Sequence, residues 1–172
     1  MEADDDLGLG IAYTTQHRKR VMVVIDGSNS SKAAINWALT HVVNNIDLLT
    51  LLHIIPPQSH HNQSAISTTT NYLGSFCKAC KPQVEVEALV LQGPKLSTII
   101  SQVKKLQVSV LILAQSSSPH LNWLLCGCRS EEFVEECIKS VDCLTVGVRK
   151  QKRGVGGYLI TTKWKRNFWL LA

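Results

Sequence analysis

The form of the apolar runs constrains this chain more than any other feature. Arg20-Val-Met-Val-Val-Ile-Asp26 is short, β-branched and uninterrupted. Such a run suits a strand buried on both faces of a parallel sheet, since a strand with one wet face would alternate. It ends on an acid and is followed by Gly27, Ser28, Asn29, Ser30 and Ser31. Ser30 or Ser31 can cap a helix from Lys32, along which Ala34, Trp37, Ala38, His41 and Val42 recur at three- and four-residue spacing. The unit is a strand, a tight Gly-Ser turn and a helix.

The same alternation continues down the chain. Leu48 to Ile55 reads as a second buried strand stopped by Pro56 and Pro57, and Val84 to Val90 as a third that begins with half-exposed alternation. Val108 to Ala114 and Cys143 to Val148 supply the fourth and fifth, with helices predicted at about 65–81, 94–106 and 130–140. Strands alternating with helices of this length predict right-handed β-α-β units, hence an α/β fold with a single doubly wound parallel sheet. The length of 172 residues suits one such domain. We divide the chain into a flexible acidic tail (1–19), the α/β domain (20–150) and a basic aromatic extension (151–172). The polar stretch 56–70 reads as a loop.

Charge sharpens that division. The net +5 splits into four acids and no base over 1–6, eleven bases against nine acids over 7–143, and seven bases with no acid over 144–172. Bulk charge therefore says nothing about the core of the domain. In the extension, Tyr158, Ile160, Thr162 and Trp164 alternate with Leu159, Thr161 and Lys163, which suits a strand, and Lys165-Arg166-Asn167 suits a turn before Phe168. We favour a hairpin or arm that folds its aromatics back on the domain or on a dimer partner. An anionic membrane surface and a nucleic acid are the alternatives, and neither is signalled elsewhere in the chain. The aliphatic runs are far shorter than the roughly 20 residues that cross a bilayer. The acidic start is unlike a signal peptide, so the expected location is the cytoplasm, with a nuclear pool open to a 19.0 kDa chain carrying Arg149-Lys150 and Lys152-Arg153.

In an open parallel sheet, ligands bind beyond the carboxyl ends of the strands, where strand order reverses. Asp26 falls at such an end, before a helix N-terminus, and has two readings. Its carboxylate can accept hydrogen bonds from a ribose or an amide, or it can simply cap the turn. The stretch from Leu113 to Gly127 offers Ser116, Ser117 and Ser118, but no glycine before Gly127. A phosphate cradle needs backbone N–H groups in conformations that side chains hinder, and the chain carries neither a P-loop nor a Gly-x-Gly-x-x-Gly.

The six cysteines, at 77, 80, 126, 128, 137 and 143, do not form a metal set: Cys77-Lys78-Ala79-Cys80 has no second pair at matching spacing, and Cys126-Gly127-Cys128 is one residue short. Leu73, Phe76, Cys77 and Cys80 share one helical stripe and read as core, as do Cys137 and Cys143. Cys126 and Cys128 are the pair open to a thiol-redox reading. His53, at a strand end, reads as a structural histidine, and His60-His61 lacks neighbouring acids. No metal site is expected.

Four stretches together resemble the universal stress protein family, specifically its plant single-domain members within the adenine nucleotide alpha hydrolase-like superfamily. They are Val21 to Ser31, Leu51 to Pro56, Ser109 to Leu113 and Glu132 to Arg149. The ending, from Gly156 and from Asn167, looks like a plant subgroup extension. The resemblance implies a five-stranded sheet of order 3-2-1-4-5 with four helices, and often a dimer through the last strand. It also implies adenosine contacts from Asp26 and Ile54. The family's phosphate motif, laid from the end of the fourth strand, falls on Ala114, Ser117, Gly127 and Cys128, of which only Gly127 agrees. The expectation is therefore a stress-response binding or scaffold protein, homodimeric, with a protein partner of unknown identity and a degenerate adenine-nucleotide site. Catalysis is not expected. The alternative is a working ATP or AMP switch with slow hydrolysis.

Overall fold

The computed structural model describes residues 18–57, 63–115, 130–151, 157–163 and 168–170. The elements run β1 (Arg20–Ile25), α1 (Asn29–His41), β2 (Leu48–Ile55), α2 (Gln63–Cys80), β3 (Glu85–Gln92), α3 (Lys95–Lys105), β4 (Val110–Ala114), α4 (Ser130–Ser140), β5 (Leu144–Lys150), β6 (Tyr158–Thr162) and β7 (Phe168–Leu170). They form one sheet of order β3-β2-β1-β4-β5-β6-β7. The first five strands pair in parallel, in the order 3-2-1-4-5. The last two are antiparallel additions at the β5 side.

Successive residues of a strand point to opposite faces, and this explains why β1 is apolar without interruption from Val21 to Ile25. Val21, Val23 and Ile25 enter a core with Ala34, Ile35, Trp37 and Ala38 of α1 and Leu73 and Cys77 of α2. Met22 and Val24 enter a second core with Ile99 and Val103 of α3 and Val134 and Cys137 of α4. Both faces of the sheet are thus dry, and each β1 side chain from Val21 to Ile25 is buried to within a few per cent. Asp47, also buried, closes the turn before β2 by accepting from the Asn44 and Lys19 backbone N–H groups at 2.7 and 3.2 Å, so its charge is compensated.

Three local expectations change. The cap of α1 is Ser28, whose side chain accepts from Ser31 N, and the helix starts at Asn29. Ser31 lies inside the helix and is buried, because its hydroxyl is engaged by Asp26. His41 is exposed at the helix end, with its ring stacked on Trp37 at 5.3 Å between centroids, while Ile35 and Leu39 are buried in its place. A wider stripe than the spacing implied is covered because α1 packs against β1, β4, β5 and α2 together. On α2, Cys77 is buried but Cys80 is exposed and Phe76 only half-buried. That helix lies over the β2–β3 margin of the sheet, so a narrower side of it is covered. Cys137 is buried as expected, and Cys143 is half-buried just before β5.

Candidate functional site

The order of the strands places the reversal point at β1, flanked by β2 and β4. The register aligns Ile25 with His53, and Val24 with Leu113. Asp26, Ile54 and Ala114 therefore stand at the same, carboxyl end of three adjacent strands. This is the end where an open α/β sheet binds ligands.

Asp26 is built into the turn it terminates. Its Oδ1 accepts from the Ser31 hydroxyl at 2.6 Å and from Ser28 N at 3.0 Å, and its own N–H donates to Ser31 Oγ at 2.9 Å. Gly27 sits between them at φ +75, a conformation that disfavours a side chain. The capping reading is thus correct for Oδ1. Oδ2 has no hydrogen bond among the described residues, and Asp26 as a whole is exposed. Desolvation by the turn pushes the carboxyl up, but the hydrogen bonds from Ser28 and Ser31, aided by the Lys95 charge, outweigh it and hold the group below the ordinary carboxylate range. Asp26 is accordingly an ionised carboxylate with Oδ1 held in the turn and Oδ2 without a hydrogen bond among the described residues.

Ile54 is half-buried on the α3–α4 face with Leu89 and Leu91, a partly open apolar surface next to Asp26. Ala114 is half-buried on the other face. A methyl group, and not a glycine hydrogen, thus stands at the end of β4. Ser117, Gly127 and Cys128 lie outside the described residues, as do Ser116, Ser118, Cys126 and His60-His61. His53 is half-buried, in register with Ile25 and Val90.

Two residues of this end escaped the sequence reading. Lys95 opens α3 and holds its ammonium 4.7 Å above the Phe133 ring of α4, a cation–π contact, from where its charge reaches Asp26. Gln115, directly after β4, is 1% exposed, and both atoms of its amide lack a hydrogen-bond partner among the described residues. It lies against Gly147 of β5: a Cβ there would fall 3.0 Å from Gln115 Nε2 and 2.8 Å from Val134 Cγ1. The signal that could have found Lys95 is its place straight after Pro94 at a helix start facing the sheet end. Gln115 had none, since a polar residue after a strand ordinarily marks exposure.

Elsewhere, an open groove of about 400 Å³ lies between Val103, Gln107, Val141 and Cys143. These residues precede β4 and β5, so the groove is at the opposite end of the sheet from Asp26. No cluster of three or more His, Cys, Asp or Glu side chains able to hold a metal occurs among the described residues. Burial pushes the Cys77 and Cys137 thiols up to about 12, which leaves them protonated and unreactive at neutral pH.

A doubly wound parallel sheet with an acid at its reversal point defines the class of α/β domains that take ligands at the strand ends. The universal stress protein family model matches residues 17–143, and the chain belongs to that family. The fold is shared with solved structures at low identity. A universal stress family protein from Arabidopsis thaliana with AMP bound is 16% identical, with a TM-score of 0.55 over 78% of this chain and 93% of that one. A universal stress protein in complex with cAMP is 14% identical, with a TM-score of 0.60 over 77% and 97%. One from Archaeoglobus fulgidus is 12% identical, with a TM-score of 0.57 over 75% and 92%. No curated protein matches the sequence.

Proposed function

We propose that this chain is a stress-response binding or scaffold protein that recognises the adenosine part of an adenine nucleotide and gains little from its phosphates. One observation carries the reading: Asp26 is an exposed, ionised carboxylate at the reversal point of the sheet, its Oδ2 without a hydrogen bond among the described residues, next to the half-open apolar surface at Ile54. A carboxylate so placed can accept from ribose hydroxyls while an apolar wall takes a base. The relatives described as binding AMP and cAMP support the same ligand class. On the phosphate side the family's glycines are replaced by Ala114 and Ser117, and its hydroxyl residue by Cys128, with Gly127 retained. Catalysis is not part of the proposal. The second reading, an ATP or AMP switch, draws on Lys95, whose positive charge acts on Asp26 and would attract a phosphate. We place the protein in the cytoplasm, with nuclear access, acting through a protein partner. A homodimer would form through a surface other than β5, because β6 holds that edge.

Calorimetric titration with adenosine, AMP and ATP tests this. We expect adenosine and AMP to bind alike, ATP no tighter, and Asp26→Asn to weaken all three. The Asn variant keeps an Oδ1 acceptor for Ser28 and Ser31, which Asp26→Ala would remove together with the turn. ATP binding ten-fold or more above adenosine would establish the switch reading instead, and absence of binding by all three would end the adenosine reading.

A further inference from the structure

The groove of about 400 Å³ at the amino ends of β4 and β5 lies at the far end of the sheet from Asp26. Its floor is apolar: Val103, Val108 and Val141 belong to the core under α3 and α4, and Ile100 is half-buried beside them. Leu144 lines it as well and is 51% exposed, one of four large apolar side chains left so open among the described residues. Two helix ends flank the groove. Lys104, which lines it, and Lys105 stand in the last turn of α3, and Lys139 stands in the last turn of α4, which leads into Val141. All three are exposed, and none has an ion-pair partner among the described residues. Asp142 is the single acid in the lining, so the rim is positive.

β1 enters the sheet beside this groove. Ser109 of the groove wall donates its N–H to Arg20 O at 2.9 Å, so the chain ahead of Arg20 arrives at the amino end of β4. In that chain Leu7, Leu9, Ile11 and Tyr13 alternate with Gly8, Gly10 and Ala12. Extended backbone puts every second side chain on one side, so this pattern gives one apolar side and an almost bare back, the form an open groove admits. Reach is sufficient: the stretch from Tyr13 to Arg18 spans up to about 17 Å, whereas crossing from β1 over β4 to β5 takes roughly 10 Å. Ahead of the apolar residues stand Glu2, Asp4, Asp5 and Asp6 with no base among them. Their charge complements that of the three lysines.

We propose that the groove at the amino ends of β4 and β5 is the docking site of the chain's own N-terminal segment: Leu7 to Tyr13 lie along the apolar floor and cover Leu144, and the acids at 2–6 meet Lys104, Lys105 and Lys139. The two parts of the contact act differently. Burial of the alternate apolar side chains supplies the affinity, while the charge pairs at the rim fix its direction and weaken with salt. A short stretch joins the segment to β1, so docking is intramolecular, with an effective concentration on the order of millimolar. A modest contact therefore suffices. Nothing in the inference depends on nucleotide.

Cys143, half-buried and part of the groove lining, reports on the occupant. The measurement is its rate of alkylation by iodoacetamide, an uncharged reagent, in the folded full-length protein, with buried Cys137 as the internal control. Leu9→Asp combined with Ile11→Asp puts charge on the apolar side of the segment without shortening the chain. Cys143 should then react about ten-fold faster, the protection lost from a site occupied some nine-tenths of the time, while Cys137 stays slow. Lys104→Glu combined with Lys105→Glu should also expose Cys143, and adding Asp4→Lys, Asp5→Lys and Asp6→Lys to that variant should restore its protection. A Cys143 rate unchanged by the Leu9 and Ile11 substitutions would overturn the proposal, and so would a rim reversal that the opposite reversal in the segment does not rescue. Protection that grows with protein concentration would overturn it too, because the occupant would then be the segment of another copy.

Discussion

The two margins of the sheet face the same hazard and meet it by different physics. At β3 no further strand pairs with the edge among the described residues, and charge defends it: Glu85 pairs with Arg18, and Glu87 pairs with Arg20 and accepts from the Thr50 hydroxyl at 2.6 Å. Its exposure alternates along the strand, and Val90 is 39% exposed. At β5 the edge is instead covered, with Tyr158, Ile160 and Thr161 buried against it. A charged edge costs little to build but contributes little to stability, because ion pairs near water are screened. A covered edge adds buried apolar area and thereby becomes part of the core. The comparison predicts that the fold depends on the β5 margin far more than on the β3 margin.

Replacing Ile160 by Ala should have the largest effect. It is 2% exposed and packs under α1, and loss of such a side chain costs about 2–5 kcal/mol, read as a lowered urea midpoint. If Ile160→Ala is neutral, β6 is not core and the contrast fails. Next, Glu87→Ala should cost about 1–2 kcal/mol, because it strips the half-buried Arg20 and the buried Thr50 hydroxyl of a partner. Glu85→Ala, whose pair with Arg18 is exposed on both sides, should change stability by no more than about 0.5 kcal/mol. A Glu85 effect equal to that of Glu87 would break the distinction between exposed and anchored edge charge.

Between the margins, Asp26 gives a pH signature. Its folded-state affinity for protons is below the unfolded value, so its contribution to stability is full above the unfolded carboxylate range and is lost as pH falls through the folded value. Chemical denaturation from neutral to acid pH should therefore show a limb that Asp26→Asn flattens. A limb unchanged in that variant would mean that the Ser28 and Ser31 bonds do not favour the charged form. The smallest readout is chemical: alkylation of the folded protein should reach Cys80 well before Cys77 and Cys137, which are buried. Labelling of Cys77 as fast as Cys80 would show that the α2 margin opens readily.

Much of this architecture was legible in the sequence, for a physical reason. Burial on both faces of a parallel strand forces uninterrupted aliphatic runs, so β1, β2, β4 and β5 announce themselves, and so do their carboxyl ends. Asp26 could be placed at a strand end for that reason alone, whereas Ile54 and Ala114 were singled out by the resemblance to the universal stress protein family. The first strand of the extension was likewise written in its alternation, while the expected turn at Lys165-Arg166-Asn167 lies outside the described residues. The cap at Ser28 was not, because Ser31 was taken from the capping role by a hydrogen bond to Asp26. Nor was Lys95, whose meaning depends on Phe133 of a different helix.

The sequence by itself therefore determined which segments are strands, which of their ends gather at the reversal point of the sheet, and that the net positive charge belongs to the C-terminal stretch. Only the tertiary structure decided what those segments meet. It buried the Gln115 amide against Gly147, where neither of its atoms has a hydrogen-bond partner among the described residues, used Oδ1 of Asp26 as a cap, and closed β5 with the chain's own β6. Local periodicity records whether a side chain is buried, but not by which neighbour, and pairing between strands is a property of the assembled sheet.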